Sequence, residues 1–297
     1  LPSKEAETLR QQITEAEFML QNEIRGGMKL GYADPATGEF RAGSSVLLST
    51  TMRTAEDEPT RKAAYGGLRS IGPAVAEQFV KVVKMRNRLA KEIGYEDYYD
   101  YKVSQAEGFS KATLFGDFMG PLEERSRPLM QAARERLAAS KGGAALEAWN
   151  QSQALAGDVT RQQDPYFPFE GAISAWARSF SALGIQYRGA TMNLDLLDRE
   201  GKYSNGFCHW PQCAYVDTNG QFVPSQTNFT SLATPGAVGS GFTALTTLMH
   251  EGGHAAHFAN IVQASPFFSQ ERAPTSVAYA ETQSMFLDSV CDDAAWV

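Results

Sequence analysis

Features typical of several protein classes are absent or scarce in this sequence of 297 residues. It has no run of about 18 or more apolar residues, so it predicts no membrane-spanning helix. It also has no run of about five or more Lys and Arg residues, and its net charge is −7, so the basic surface typical of nucleic-acid binding is missing. We therefore expect neither a membrane nor a nucleic acid among the partners of this protein.

Cysteine is scarce as well, with Cys208, Cys213 and Cys291 as the only three. An odd number of scattered cysteines does not build a disulfide scaffold and is typical of a reducing compartment. Triplets that match the glycosylation pattern begin at Asn150 and Asn228, but such short patterns often arise by chance. The compartment stays open on this basis, with the cytoplasm or an organelle lumen favoured.

Apolar residues at helical spacing predict a mainly α-helical chain. Hydrophobic residues make up 43% and charged residues 21%, close to the average of globular proteins. Helices are predicted over residues 3–25, 58–90 and 111–155, the last with a break near Gly142. In the second of these, Phe79 lies on an apolar stripe that predicts a buried face.

Segments that favour β-strands occur between residues 185 and 223. Short pieces at residues 185–188 and 213–216 are separated by turns rich in Gly, Asn and Asp. The predicted fold class is therefore mainly α with a small β element. We expect an N-terminal helical region over residues 1–155 and a second region over residues 156–297.

The strongest chemical signal is the segment His250-Glu251-Gly252-Gly253-His254, which follows an apolar stretch and reads with it as one buried helix. Two histidines four residues apart lie on one helical face, so both imidazoles can bind one metal ion. Glu251 is offset toward the same side, where it can take a proton from water rather than bind the metal. Gly252 and Gly253 each cost about 1 kcal/mol relative to Ala inside a helix, so we expect another group to approach the helix backbone there.

A catalytic zinc site uses three protein ligands, so the two histidines require a third. A second helix is predicted over residues 276–292, and it carries Glu281. The 27 residues between His254 and Glu281 allow a loop that returns this helix to the metal. Glu271 is the competing acid, but it lies in a loop flanked by prolines, where it would be poorly positioned. We predict Glu281 as the third ligand, and two His with one Glu suit zinc.

Three further polar residues are candidates for a role near the site. Asp288 lies on the same helical face as Glu281 and is either an acceptor for the N–H of a ligand histidine or an acid on the helix surface. His257 is about 10 Å from His250 along the helix axis, so it either supports the site, faces the substrate or simply packs. His209 with Cys213 could be read as a metal site, but the spacing lacks a second pair of ligands.

These segments together resemble the thimet oligopeptidase and oligopeptidase F family of zinc metallopeptidases, and the resemblance covers most of the chain. The segments that carry it are residues 86–98, 195–206, 228–230, 250–257 and 280–286. The last two, which hold the histidine motif and Glu281, are highly specific together. The resemblance implies a zincin-like (gluzincin) fold, a helical ellipsoid with a deep substrate channel, and one zinc ion per chain.

The activity implied by the resemblance is endopeptidase cleavage of short peptides rather than of folded proteins. Zinc would be held by His250, His254 and Glu281, and Glu251 would act as general base and then return the proton to the leaving amine. An edge strand can hold a peptide substrate in extended form. We expect the segment Gly206-Phe207-Cys208 to form such an edge near the substrate.

Members of this family are usually much longer and continue well past the third ligand, where Tyr and His side chains bind substrate and stabilise the oxyanion. This sequence ends at Val297, sixteen residues after Glu281. We therefore expect residues 156–297 to be an incomplete catalytic zinc-binding region, continued by a C-terminal fragment or by a second chain. Without that continuation we expect an exposed apolar face and low stability.

Two alternatives remain open at this point. A carboxypeptidase or dipeptidyl-carboxypeptidase shares the same metal core and differs in a group that recognises the C-terminal carboxylate of the substrate. A non-catalytic, zinc-stabilised binding protein is the second alternative. The presence of Glu251 argues against the latter, because a purely structural site has no use for that carboxylate.

Overall fold

The computed structural model describes residues 3–199, 202, 206–268 and 276–296. These residues form a mainly helical chain with three small β-sheets, which confirms the predicted fold class of helices with a small β element. The chain divides into two compact units, Leu1–Gly157 and Asp158–Val297. Among the helices within the described ranges, none is both long enough and apolar enough to cross a bilayer.

The first unit consists of helices and one antiparallel hairpin. Its helices are α1 (Lys4–Phe18), α2 (Ser45–Thr54), α3 (Glu58–Arg69), α4 (Ile71–Glu92), α5 (Tyr98–Glu107), α6 (Lys111–Thr113) and α7 (Gly120–Lys141). The hairpin pairs β1 (Gly31–Ala33) with β2 (Phe40–Ala42). π-Helical turns lie at Met19–Arg25, Leu114–Met119 and Gln153–Gly157, and a 3₁₀ turn at Gly143–Leu146. Side chains of Ser3, Ser44 and Asp57 accept main-chain N–H groups at the first turns of α1, α2 and α3, which fixes where these helices begin.

The structure corrects the predicted helix over residues 58–90 in two respects. It is two helices, α3 and α4, which separate at Ser70, where both the N–H and the hydroxyl bond to carbonyls of the preceding turn. Phe79, expected on a buried face, is 50% exposed. The reason is that α1 packs against the C-terminal half of α4, through Met85 and Leu89, and Phe79 lies in the other half.

The second unit combines helices with two three-stranded sheets. Its helices are α8 (Asp158–Gln163), α9 (Ala172–Ala182), α10 (Ser240–Asn260) and α11 (Val277–Asp288), with 3₁₀ turns at Asp164–Tyr166, Phe169–Gly171 and Ser289–Asp292. Its strands are β3 (Thr191–Leu197), β4 (Phe207–Gln212), β5 (Ala214–Val216), β6 (Phe222–Val223), β7 (Gln226–Ala233) and β8 (Val262–Gln263). In the first sheet β7 is central, parallel to β3 and antiparallel to β4, so β4 lies at an edge. In the second sheet β5 lies between β6 and β8.

Residues 185–188, predicted as a strand, are a loop in the structure. The N–H of Ile185 donates to the carbonyl of Phe180 at 2.9 Å, so this segment completes the end of α9. Arg188 then takes a left-handed backbone conformation with φ of 50°, which an extended strand cannot contain. By contrast, the predicted β segment at residues 213–216 is confirmed as β5.

Helix α10 lies in the middle of the core of the second unit. It packs against α9, the first sheet and α11. The buried side chains of this core include Trp176 and Phe180 of α9, Phe229 of β7, Leu248 and Met249 of α10, and Leu287 of α11. Apolar contacts on several sides therefore fix the helix that carries the histidine motif.

Candidate metal centre

The histidine motif lies in the second half of α10, which is the continuous and buried helix that the sequence predicts. Glu251 and His254 are buried, with 8% and 7% of their surfaces exposed. His250 is one turn before His254, and the centroids of the two imidazole rings are 5.0 Å apart. Buried charged and polar groups are costly unless they have partners, so the partners of these three side chains decide what the site can do.

Helix α11 brings Glu281 to both histidines. Its Oε2 atom lies 3.3 Å from Nε2 of His250 and 3.3 Å from Nε2 of His254. One potential ligand atom from each of the three residues lies within 4.8 Å of the others. The structure therefore places together the three residues that the sequence selects as ligands.

The donor set fits a divalent metal ion. In a tetrahedral site with metal–ligand bonds of about 2.0–2.1 Å, ligand atoms are about 3.3–3.4 Å apart. The two distances from Oε2 of Glu281 match this spacing. Burial lowers the pKa of His254, which favours the neutral imidazole that binds metals.

Asp288 lies beside His250, on the next turns of α11 after Glu281. Its Oδ2 atom is 2.8 Å from Nδ1 of His250. At this distance an N–H on Nδ1 can donate a hydrogen bond to the carboxylate. In that tautomer Nε2 carries no proton and faces Glu281. For His254 the structure is different, because its Nδ1 is buried without a hydrogen-bond partner among the described residues.

Glu251 faces the start of the edge strand β4. The main-chain N–H of Cys208 is directed toward its carboxylate. Burial is the main cause that raises the pKa of Glu251, the nearby Glu281 adds to the increase, and the N–H of Cys208 lowers this pKa slightly. A raised pKa makes this carboxylate a stronger base than an exposed glutamate.

The predicted edge Gly206-Phe207-Cys208 lies next to this carboxylate. A Cβ atom on Gly206 would be 3.1 Å from the carbonyl oxygen of Thr230, which is a tight contact, and 3.8 Å from Oε1 of Glu251, which is ordinary van der Waals contact. Phe207 is half-buried and pairs with Thr230 of β7. The Cys208 thiol is buried, and burial raises its pKa, so it remains a neutral thiol.

The close approach predicted at the two glycines is confirmed. A Cβ on Gly252 would be 2.5 Å from Nε1 of Trp176, and a Cβ on Gly253 would be 2.9 Å from Cδ1 of Leu287. The phenol of Tyr187 also donates to the carbonyl of Gly252 at 2.9 Å. The sequence indicates that something approaches these glycines, but not that it is α9 on one side and α11 on the other.

The other candidates lie away from the three ligand residues or outside the described ranges. His257 packs beside Phe258 and Tyr279, its Nδ1 is buried without a partner among the described residues, and burial lowers its pKa. His209 lies in β4 opposite Asn228. In the part of the chain that the structure describes, no group that could hold a metal includes His209 or Cys213. Glu271 lies outside the described residues.

The surface of α11 exposes large apolar side chains. Tyr279, Met285 and Phe286 are 61%, 60% and 65% exposed. The exposed apolar face that the sequence analysis expects is therefore present, on the same helix as Glu281 and Asp288. Large exposed apolar groups that lie close together are typical of surfaces that contact other polypeptide.

The sequence and the fold both have relatives. The sequence profile of peptidase family M3 matches residues 51–296. Pz peptidase A, solved with an inhibitor, superposes with a TM-score of 0.63 at 17% identity, over 99% of this chain and 49% of that one. A protein assigned as oligoendopeptidase F gives a TM-score of 0.62 at 15% identity, over 99% of this chain and 48% of that one. No curated protein sequence matches this chain.

These comparisons confirm the resemblance stated from the sequence and the zincin-like fold class. The chain spans about half the length of the two solved structures that it matches. At these low identities the superpositions establish the fold, and the chemistry depends on the residues described above.

Proposed function

Since this chain belongs to peptidase family M3, we propose that it is the metal-binding part of a zinc-dependent endopeptidase that hydrolyses short peptides. The observation that carries the proposal is the convergence of His250, His254 and Glu281, with the buried carboxylate of Glu251 on the same helical turn. Three ligands with an adjacent carboxylate are the arrangement of a catalytic rather than a structural zinc site.

In this proposal one zinc ion per chain would be held by His250, His254 and Glu281. When bound, the ion acts as a Lewis acid on the substrate carbonyl and lowers the pKa of water. Asp288 keeps His250 in the tautomer and ring orientation that direct Nε2 at Glu281. Helix α10 supplies both histidines from one rigid face, so little has to move when the site is formed.

Glu251 is the general base of the proposed reaction. It accepts a proton from the attacking water and passes it to the amine that leaves. The pKa of Glu251, raised by burial, suits it to hold a proton for part of the cycle. The carboxylate lies beside the start of β4, since a Cβ atom on Gly206 would be 3.8 Å from its Oε1 atom.

The edge strand β4 supports a peptide as the substrate. An edge strand offers main-chain groups that can pair with an extended peptide, and β4 begins beside Glu251. Gly206, Phe207 and Cys208 are therefore proposed to lie along the bound peptide. A carboxypeptidase or dipeptidyl-carboxypeptidase on the same metal core would need an added group that binds the C-terminal carboxylate, so peptides with amidated C-termini separate this alternative from the endopeptidase.

The substitution Glu251→Gln tests the reaction. It keeps the size of the side chain and removes the base, so we expect hydrolysis of a quenched fluorescent peptide to fall by about 10²–10⁴-fold. Zinc content should stay at one per chain. Glu170→Gln, at an exposed position within the 3₁₀ turn before α9, is the matched control and should leave both quantities unchanged. Equal hydrolysis by wild type and Glu251→Gln would reject Glu251 as the general base. Zinc binding without hydrolysis in either protein would favour a zinc-stabilised binding protein.

A further part of the proposal concerns the partners of the chain. We propose that additional polypeptide, either a C-terminal fragment or a second chain, covers the apolar side chains that α11 exposes. The exposed surfaces of Tyr279, Met285 and Phe286 support this. Phe286→Glu should then lower hydrolysis by the complete enzyme while zinc content is kept. Unchanged activity and unchanged thermal stability of the complete enzyme would show that this face is open to solvent.

A further inference from the structure

Ser284 occupies a position on α11 that the proposed reaction does not use. Its side chain is fully buried, with 0% exposed. Its Oγ atom lies 3.0 Å from the carbonyl oxygen of Glu281 and 3.1 Å from Oε2 of the same residue. Oε2 is also the oxygen that lies 3.3 Å from both histidine Nε2 atoms. A buried hydroxyl thus contacts the one carboxylate oxygen that faces the histidines.

The hydroxyl has a single proton, so it donates to one of these two oxygens at a time. The carbonyl of Glu281 has another donor, because inside an α-helix it accepts the N–H four residues later. A carboxylate oxygen has lone pairs for both a metal ion and a hydroxyl donor. Donation to Oε2 therefore satisfies more groups than donation to the carbonyl alone.

The carboxylate of Glu281 needs such a restraint. Its side chain is 42% exposed, so one side of it is open to water, into which a long and flexible side chain can turn. His250 and His254 are held by the packing of α10, whereas Glu281 reaches the site from a separate helix. Among the described residues of α11, Ser284 donates a hydrogen bond to this carboxylate.

The position of Ser284 depends on Gly253. A Cβ atom on Gly253 would lie 3.2 Å from Cα of Ser284, so the two helix backbones touch at this point. Only a small residue fits on α11 here, and serine is the small residue that adds a hydroxyl donor. Packing against Gly253 explains why the side chain is small. It does not explain why the residue is serine rather than alanine.

We propose that Ser284 is a positioning residue, whose hydroxyl holds Oε2 of Glu281 toward Nε2 of His250 and His254 and so sets how tightly the site retains zinc. The inference rests on the proposed function, because it requires Glu281 to bind the metal. Ser284 acts through Glu281 and does not touch the substrate. Removing a hydrogen bond of this kind around a metal site typically weakens metal binding by about 10–100-fold.

Ser284→Ala tests the inference, because it removes the hydroxyl, keeps the small size and favours the helix. The measurement is the zinc dissociation constant, obtained by competition with a chelator on the complete protein. We expect Ser284→Ala to raise it about ten-fold or more and saturating zinc to restore hydrolysis. Ser289→Ala is the matched control, since Ser289 is exposed and its hydroxyl donates to the carbonyl of Phe286 at 2.7 Å. Thermal unfolding of the metal-free proteins checks that both variants fold.

A double-mutant cycle separates positioning from packing. If Ser284 acts through Glu281, adding Ser284→Ala to Glu281→Ala should change zinc affinity less than about two-fold. Equal losses in both backgrounds would assign Ser284 to packing and overturn the inference. Wild-type affinity in Ser284→Ala would also overturn it, while leaving the proposed function intact. A wild-type protein that binds no zinc would instead reject the proposed function itself.

Discussion

Oδ2 of Asp288 lies 2.8 Å from Nδ1 of His250, across the interface between α10 and α11. The contact joins the helix that carries both histidines to the helix that carries Glu281. It is made by the ring nitrogen that faces away from Glu281, so it orients the imidazole without competing for Nε2. Asp288 is therefore positioned to support the metal site from behind His250.

Asp288→Ala tests this support. It leaves Nδ1 of His250 without its acceptor, so the ring can rotate and the tautomer is no longer fixed. We expect the zinc dissociation constant to rise by about 10–100-fold, measured by chelator competition. Asp292→Ala removes an exposed acid one turn later and should leave zinc binding unchanged. An unchanged affinity in Asp288→Ala would show that Asp288 is an ordinary acid of the helix surface.

Gly253→Ala should disturb both stability and metal binding. The added methyl group would be 2.9 Å from Cδ1 of Leu287 and 3.2 Å from Cα of Ser284, so the Leu287 side chain must shift and the α11 backbone must give by a few tenths of an ångström. Overpacking of this kind costs about 1–3 kcal/mol of unfolding free energy. Because α11 carries Glu281, zinc affinity should fall in the same variant. Urea unfolding and chelator competition measure the two effects.

The control for this variant is Gly66→Ala in α3, where a Cβ atom would meet nothing within 4 Å. Alanine is favoured over glycine inside a helix by about 0.8–1.0 kcal/mol. We expect Gly66→Ala to stabilise the chain and to leave zinc binding unchanged. If Gly253→Ala were stabilising as well, the close contact between α10 and α11 would not exist in solution.

That His250, His254 and Glu281 lie together could be predicted because their signals are local. Two histidines at helical spacing in an apolar helix require a common partner, and Glu281 is placed on the next helix by its spacing. It could also be predicted that another group lies close to Gly252, since glycine inside a helix indicates a close neighbour. What could not be predicted was the neighbour itself, Trp176, because long-range packing leaves no periodic signal in the sequence.

The errors of the sequence analysis have the same origin. Residues 185–188 have the composition of a strand, but their first N–H completes the end of α9 and Arg188 turns the chain. Phe79 lies on an apolar stripe that continues beyond the part of α4 covered by α1. In both places tertiary packing overrides a local preference. The contact of Cys208 with Glu251 likewise depends on β4 pairing with β7, which the sequence does not specify.

The ion pairs of Asp195 lead us to expect that the free energy of unfolding falls in acid. It forms a bidentate ion pair with Arg199, at 2.6 and 2.7 Å, and a further bond with the buried Lys202 at 3.1 Å. Chiefly through the Arg199 guanidinium, this lowers the pKa of Asp195 from its ordinary value of 3.8 to about 2. Because the folded pKa is depressed, the contribution to stability is present above about pH 4 and is lost as the pH falls toward 2.

Asp195→Asn removes this titration. Urea unfolding of the metal-free chain between pH 5 and pH 2 should show a steeper loss of stability in wild type than in the variant. The difference should be modest, since the Asp195 side chain is 44% exposed and water screens the ion pair. Parallel curves for the two proteins would mean that the pKa of Asp195 is not lowered by folding.

Zinc content is the most direct test of the central claim, that His250, His254 and Glu281 form a metal centre. Purified wild-type protein, loaded with zinc and freed of excess metal, should contain one zinc per chain, and a chelator should remove it. His254→Ala should lose most of this zinc, while His209→Ala should keep it, because His209 belongs to no described group that could hold a metal. A wild-type chain without stoichiometric zinc, or equal zinc in both variants, would contradict the account.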